Sequence, residues 1–252
     1  MSSQFGFISR LTFLQTWASK IVAMIPPAVA HNLGKYQVLN KVHYLSAVDD
    51  TPGDYLEFGV FQGSSLCHSI RCTKKLSKFN PKILGTKFFG FDSFGGFGEV
   101  SEEEQHSFFT DENFSTSMEA TEKRVKKVAG DISFQLVPGF FEKSLARGSQ
   151  AFGINKAKIV MIDCDTYSAA NEALKFCRSI VQQGTIFILD DYFYYRGNKD
   201  NGEMLAFAQF VEQTGIEVRE LCTYGMGSIV YIVSSLGSYD ESLWVQLPNK
   251  EK

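Results

Sequence analysis

Four aspartates stand at the ends of two short apolar runs. Lys158-Ile159-Val160-Met161-Ile162 stops on Asp163-Cys164-Asp165, and Thr185-Ile186-Phe187-Ile188-Leu189 stops on Asp190-Asp191. Carboxylates gathered in one place repel each other, so such a grouping is costly unless a cation sits among them. A plainer reading is also open. Asp165 could cap a helix starting near Ser168, and Asp191 could shape a turn.

Whether the four acids meet depends on the elements that carry them. Both runs are short, partly β-branched and without clear alternation, which is how a strand buried on both faces reads. Between them Ala170, Ala173, Leu174, Phe176, Cys177, Ile180 and Val181 recur at helical spacing, with Gly184 placed as a C-cap. Strand, helix, strand at this length is a βαβ unit with parallel strands and a right-handed crossover. Both strands then end at one edge of the sheet, the edge where open α/β sheets bind ligands.

Other chemistry-bearing residues lie at the ends of further runs. Leu56-Glu57-Phe58-Gly59 closes a short strand, and a helix opens near Gly63-Ser64-Ser65. The glycines permit a tight turn and close approach to the helix N-terminus, or serve a plain structural βα turn. A carboxylate at Glu57 argues against phosphate there and suits a cationic ligand. The next strand, Lys87 to Phe91, stops on Asp92-Ser93-Phe94. An acid at that point can accept two hydrogen bonds from a ribose, or simply form a turn. Residues 95–116 are glycine-rich and then acidic (Glu99, Glu102, Glu103, Glu104, Asp111, Glu112). They form a solvated loop or a flap over the crevice, with His106 inside it.

The remaining periodicity predicts helices over 5–25 and 34–48, a helix over 116–129 and a strand from Ile132 to Val137. A helix over 203–214 and strands over 217–222 and 228–233 complete the chain. Nothing reads as a linker, so one α/β domain is expected over 51–236. Residues 1–50 would be a helical cap and 237–252 a turn-rich tail.

These pieces together resemble a class I methyltransferase that uses S-adenosylmethionine, and more narrowly the macrocin O-methyltransferase family. The resemblance is carried by Leu56 to Ser65, Phe91-Asp92-Ser93-Phe94-Gly95-Gly96, Val137-Pro138-Gly139-Phe140-Phe141, Ile162 to Ser168, and Leu189-Asp190-Asp191-Tyr192. It implies a Rossmann-like fold, a seven-stranded mostly parallel sheet with helices on both faces. It also implies Mg²⁺ held by Asp163, Asp190 and Asp191, a choice of ion that oxygen ligands favour. Asp165, the best cap of the four acids, is left out of that shell. Glu57, Gly59, Gly63, Ser64 and Ser65 would surround the methionine part of the cofactor. Asp92 would take the ribose beside Ser93 and Phe94, and Gly139 and Phe140 would lie near the adenine. The base that accepts the hydroxyl proton would be Asp163 or His106. Cys164 departs from the glycine the family often has between its two aspartates, and the segments 95–116 and 193–202, where an acceptor would bind, match nothing in the family pattern.

Composition narrows the partners. Net charge is −3 with no basic run, so neither nucleic acid nor an anionic membrane is indicated. No run approaches a membrane span. Ala28-Val29-Ala30 mimics a signal-peptidase site, but Lys20 interrupts the apolar stretch before it and Pro26-Pro27 intervene. Five scattered cysteines without a CxxC suit a reducing, cytoplasmic setting. Of the 23 Phe, several fall in loops (Phe94, Phe97, Phe108, Phe109, Phe193) and could line a pocket or pack beneath a loop. The expected acceptor is a small molecule bearing a sugar hydroxyl or other vicinal diol. A homo-oligomer built on the aromatic N-terminal helices is also expected. Two rival readings remain: a metal-dependent glycosyltransferase using Asp163-Cys164-Asp165 as a DxD, and a non-catalytic binding subunit of the same fold.

Overall fold

Short segments of four to eight residues become the strands of one seven-stranded sheet, in a computed structural model that describes residues 11–98, 100–107 and 111–237. The side chains of Glu112 and Asn113 are outside that description. So are Phe7 and Ile8, the loop residues Glu99, Phe108 and Phe109, and the tail from 238 onward. The strands are β1 (Asp54–Phe58), β2 (Phe88–Asp92), β3 (Phe134–Pro138), β4 (Ala157–Ile162), β5 (Ile186–Leu189), β6 (Glu217–Tyr224) and β7 (Ser228–Ser235). Their order across the sheet is β3-β2-β1-β4-β5-β7-β6. All pairs from β3 to β5 are parallel, while β7 runs antiparallel between β5 and β6. This is the doubly wound, mostly parallel arrangement expected.

Every residue of β4 and β5 is buried, Lys158 included, which accounts for the apolar runs from Ile159 to Ile162 and from Ile186 to Leu189. On one face Leu56, Phe58, Phe91, Val160, Ile162, Phe187 and Leu189 pack against α-helical Ala170, Leu174, Phe207 and Phe210. On the other, Tyr55, Phe88, Ile159, Met161, Ile186 and Ile188 meet Val38, Leu39, Val42, Leu66, Ile70 and Val125. The helices are α1 (Thr12–Ala23), α2 (Pro27–Val48), α3 (Ser64–Leu76), α4 (Met118–Ala129), α5 (Tyr167–Cys177) and α6 (Gly202–Thr214), with shorter helical turns between them.

Some boundaries move. α2 starts at Pro27 and not at 34, because proline is preorganised for the first helical position and its missing N–H costs nothing there. α5 stops at Cys177 and tightens into a 3₁₀ turn over Arg178–Ile180. Gly184 lies beyond it, at φ +87 in the turn into β5, so it is not the helix cap. Nor does Asp165 cap α5: Thr166 does, its Oγ1 accepting from the N–H of Ala169. The acidic flap is not wholly solvated either, since Glu104 is buried and accepts from the Ser168 N–H at 2.6 Å.

Candidate active site

Parallel registry places Ile162 beside Leu189, so the residues that follow β4 and β5 emerge together. Asp163, Asp190 and Asp191 each present a carboxylate oxygen within 4.8 Å of the others. Asp190 and Asp191 are buried, and Asp163 is partly open. Two further acids join them. Asp165 is buried at φ +66, and Glu203 at the start of α6 is wholly buried. Glu203 accepts from the backbone N–H groups of Cys164 (3.4 Å) and Asp191 (3.1 Å), tying both acidic loops to α6.

The positive partners come from α2. The Lys35 ammonium lies 2.8 Å from Asp163 Oδ2 and 2.8 Å from Asp190 Oδ2. His31, one turn earlier on the same helix face, donates from Nε2 to Asp190 Oδ2 at 2.9 Å. Its Nδ1 accepts the Met226 N–H, which sets the tautomer. Tyr224 and Ser228 donate their hydroxyls to Asp190 as well.

The electrostatics follow from this arrangement. Burial alone would raise Asp190, yet the Lys35 charge and the His31 contact outweigh it and hold the carboxyl well below its usual range. Burial, then the repulsion of Asp190, push Asp163 up against the pull of Lys35. Burial and the neighbouring Asp165 and Glu203 raise Asp191, and Asp165 rises to about 7. Glu203 is pushed up by burial and Asp190. Negative charge thus exceeds what Lys35 balances, and a divalent cation fits the surplus. Asp191 Oδ2 is buried without a hydrogen-bond partner among the described residues, as an unclaimed metal ligand would be.

Around the first βα turn the structure redistributes the expected roles. Gly59 sits at φ +92, and a Cβ there would lie 1.7 Å from the Asp163 carbonyl oxygen. Its first purpose is therefore to let the tips of β1 and β4 touch. Gly63 at φ +72 precedes α3, whose N-terminus has no side-chain cap. Ser64 is half-buried at that end, whereas Ser65 is buried and donates to Glu57 Oε1 at 2.7 Å. Glu57 also accepts from the Tyr55 hydroxyl at 2.5 Å and is fully buried beneath the turn, its carboxyl raised by that burial to about 7. It faces its own neighbours and not an open crevice.

Asp92 Oδ2 accepts from the N–H groups of Val60 and Phe61, both at 2.7 Å, and Oδ1 accepts from Phe94 N–H at 2.6 Å. Three of its acceptor sites are spent on backbone, and one lone pair on Oδ1 is left where two ribose bonds were expected. Ser93 Oγ bonds Gly95 and Gly96 within the flap's first turn, and the Phe94 ring is buried in the core. Gly139 donates to the Asp92 carbonyl, and the exposed ring of Phe140 packs over Gly98. His106 packs edge-on against Tyr194 and Tyr195, whose hydroxyl reaches the Asp165 carbonyl. The flap and the segment after β5 therefore form one surface beside the acids.

Lys35, His31, Tyr224 and Glu203 were not singled out by sequence reasoning. The i, i+4 spacing of His31 and Lys35 puts both on one helix face, but Lys41 and His43 on the same helix dilute that signal. Glu203 carries no such signal.

The chain is 24% identical over 178 residues to mycinamicin III 3''-O-methyltransferase of Micromonospora griseorubida. That alignment spans 66% of each chain. Its fold is shared with the O-methyltransferase NovP, at TM-score 0.64, 18% identity and 80% coverage of both chains. The calicheamicin methyltransferase CalS11 gives TM-score 0.63 at 20% identity, covering 92% of this chain and 93% of the other. Residues 18–224 match the macrocin-O-methyltransferase (TylF) family. With that match over most of its length, on a class I sheet, the chain belongs to the macrocin O-methyltransferase family of S-adenosylmethionine-dependent O-methyltransferases.

Proposed function

We propose that this chain moves the methyl group of S-adenosylmethionine to a hydroxyl of a sugar, or another vicinal diol, on a small-molecule glycoside, with Mg²⁺ held by Asp163, Asp190 and Asp191. The observation that carries the reading is the meeting of those three carboxylates at the sheet's carboxyl edge, one with an unpartnered buried oxygen. A sugar or sugar-like acceptor is supported by the mycinamicin III 3''-O-methyltransferase relative. The glycosyltransferase reading falls with the family match.

When bound, the metal supplies charge that favours the ionised hydroxyl and orients the diol. The rest is the protein's. The turn from Gly59 to Gly63 and the uncapped start of α3 face the methionine end of the donor, Asp92 offers its remaining lone pair to the ribose, and Phe140 offers a face to the adenine. Glu57, by holding Tyr55 and Ser65, is the floor on which that turn rests. Asp163, raised by burial and Asp190, suits proton acceptance, with His106 the second candidate. The acceptor oxygen forms its bond to the methyl carbon as the carbon–sulfur bond breaks, the electron pair staying on sulfur to leave S-adenosylhomocysteine. Positioning supplies much of the rate.

Purified protein incubated with S-adenosylmethionine and a glycoside panel should give products one methyl group heavier. Transfer should be stopped by EDTA, restored by Mg²⁺, and reduced about 100-fold or more by Asp190→Asn or Asp191→Asn, a loss in the range seen when a stabilising group is removed. Transfer that ignores both EDTA and these substitutions removes the metal from the reading. Self-association through α1 belongs to the same proposal. That helix buries no residue and exposes Phe13, Trp17 and Val22.

A further inference from the structure

Building on the metal reading above, we infer that Lys35 is a tethered counter-ion that contests the divalent cation for the oxygens of Asp163 and Asp190. The ammonium lies 2.8 Å from Oδ2 of each, and these are two of the three carboxylates that meet within 4.8 Å. A metal bonded to the same carboxylates at the usual distance of about 2.1 Å comes within a few ångströms of the ammonium, and two cations that close repel strongly.

Geometry makes the contest local. Lys35 is buried along its length, so its charge cannot retreat into solvent without moving α2. His31 bonds the same Asp190 oxygen one turn away, and Gly34 between them lies so close that a Cβ would stand 2.9 Å from the Gly225 nitrogen. Oδ2 of Asp190, shared by His31 and Lys35, and Oδ2 of Asp163 therefore hold α2, while Oδ1 of Asp190 accepts from Tyr224 of the β6–β7 hairpin. A divalent cation that takes those oxygens loosens that attachment. Cation binding at the acids and the seating of α2 become opposing events, linked reciprocally. The first half of α2 would then be freer once the cation is bound.

The test uses Mn²⁺ as the probe on metal-stripped full-length protein at pH 8. Free Mn²⁺ is counted by electron paramagnetic resonance, and hydrogen exchange over residues 27–40 is followed with and without the ion. Lys35→Met should bind Mn²⁺ at least tenfold more tightly than the wild type, while Lys35→Arg, which keeps the charge, should stay within about twofold. In the wild type, Mn²⁺ should speed exchange across 27–40. Equal or weaker binding by Lys35→Met overturns the inference and leaves the metal reading intact. So does slowed or unchanged exchange in the wild type, a measurement that needs no variant to fold. If no form of the protein binds Mn²⁺, the metal reading fails and the contest with it.

Discussion

Glu203 and Gly59 show how much of this site is decided by single residues. Glu203 has no exposure, and its two oxygens accept from the backbone of both acidic loops. Truncation orphans two buried N–H groups, each worth about 1–3 kcal/mol. Glu203→Ala should therefore lower unfolding free energy by about 2 kcal/mol or more in urea titration, and Glu203→Gln, which keeps one acceptor, by less than half as much. Gly59 is a second case. Its φ of +92 and the 1.7 Å approach to the Asp163 carbonyl leave no room for a methyl group. Gly59→Ala should cost at least about 3 kcal/mol, read as a large drop in Tm. A small Tm change would mean that the tips of β1 and β4 do not meet at this glycine.

At the scale of elements, α2 does two jobs with one helix. Its amino-terminal half brings His31 and Lys35 to the acids, and its later half buries Val38, Leu39 and Val42 against the sheet. His43 lies in that later half, stacked on Tyr55 and buried, with Nε2 unpartnered among the described residues. Burial, then the Lys158 charge, lowers its pKa from 6.5 to about 3. The folded value lies below the unfolded one, so between these limits the unfolded chain binds the extra proton. Stability from this group is complete above pH 6.5, falls as the pH drops, and levels off near pH 3. The shift corresponds to a loss on the order of 5 kcal/mol. His43→Phe, which keeps the stacked ring, should flatten that limb of stability against pH in denaturant titrations at several pH values. An unchanged slope would show that other groups dominate the acid response.

For the whole molecule, the helix α1 stands apart from a well-filled body. Twelve residues of isolated helix are marginal in water, and this one exposes Phe13, Leu14, Trp17, Ile21 and Val22 without burying any of them. The wild type should run as a dimer or larger species in size-exclusion chromatography with light scattering. The double substitution Phe13→Glu, Trp17→Glu should shift it toward monomer without changing the Tm of the α/β body. A wild type that is monomeric at micromolar concentration would remove self-association from the proposed function. Among the described residues no helix is long and apolar enough to cross a membrane.

What the chain's order of residues determined by itself was the sheet and the tips of its strands. Unbroken apolar runs such as Ile159 to Ile162 and Ile186 to Leu189 leave a doubly buried parallel strand as the economical reading, and parallel strands must end together. Asp163, Asp190 and Asp191 could be grouped on that ground alone. The tertiary structure decided what balances them and what they are made of locally. Lys35 reaches Asp163 across 128 residues and His31 reaches Asp190 across 159, pairings that no local pattern encodes. Likewise Glu57, Asp92 and Ser65 looked from their positions like ligand-facing groups. Only the packing of the turn against β2 and α3 showed their oxygens engaged with neighbouring chain. Periodicity reports which side of an element meets the core, because burial is averaged over a face. Charge pairing depends on single atoms brought within about 3 Å, and that is settled only when distant elements pack.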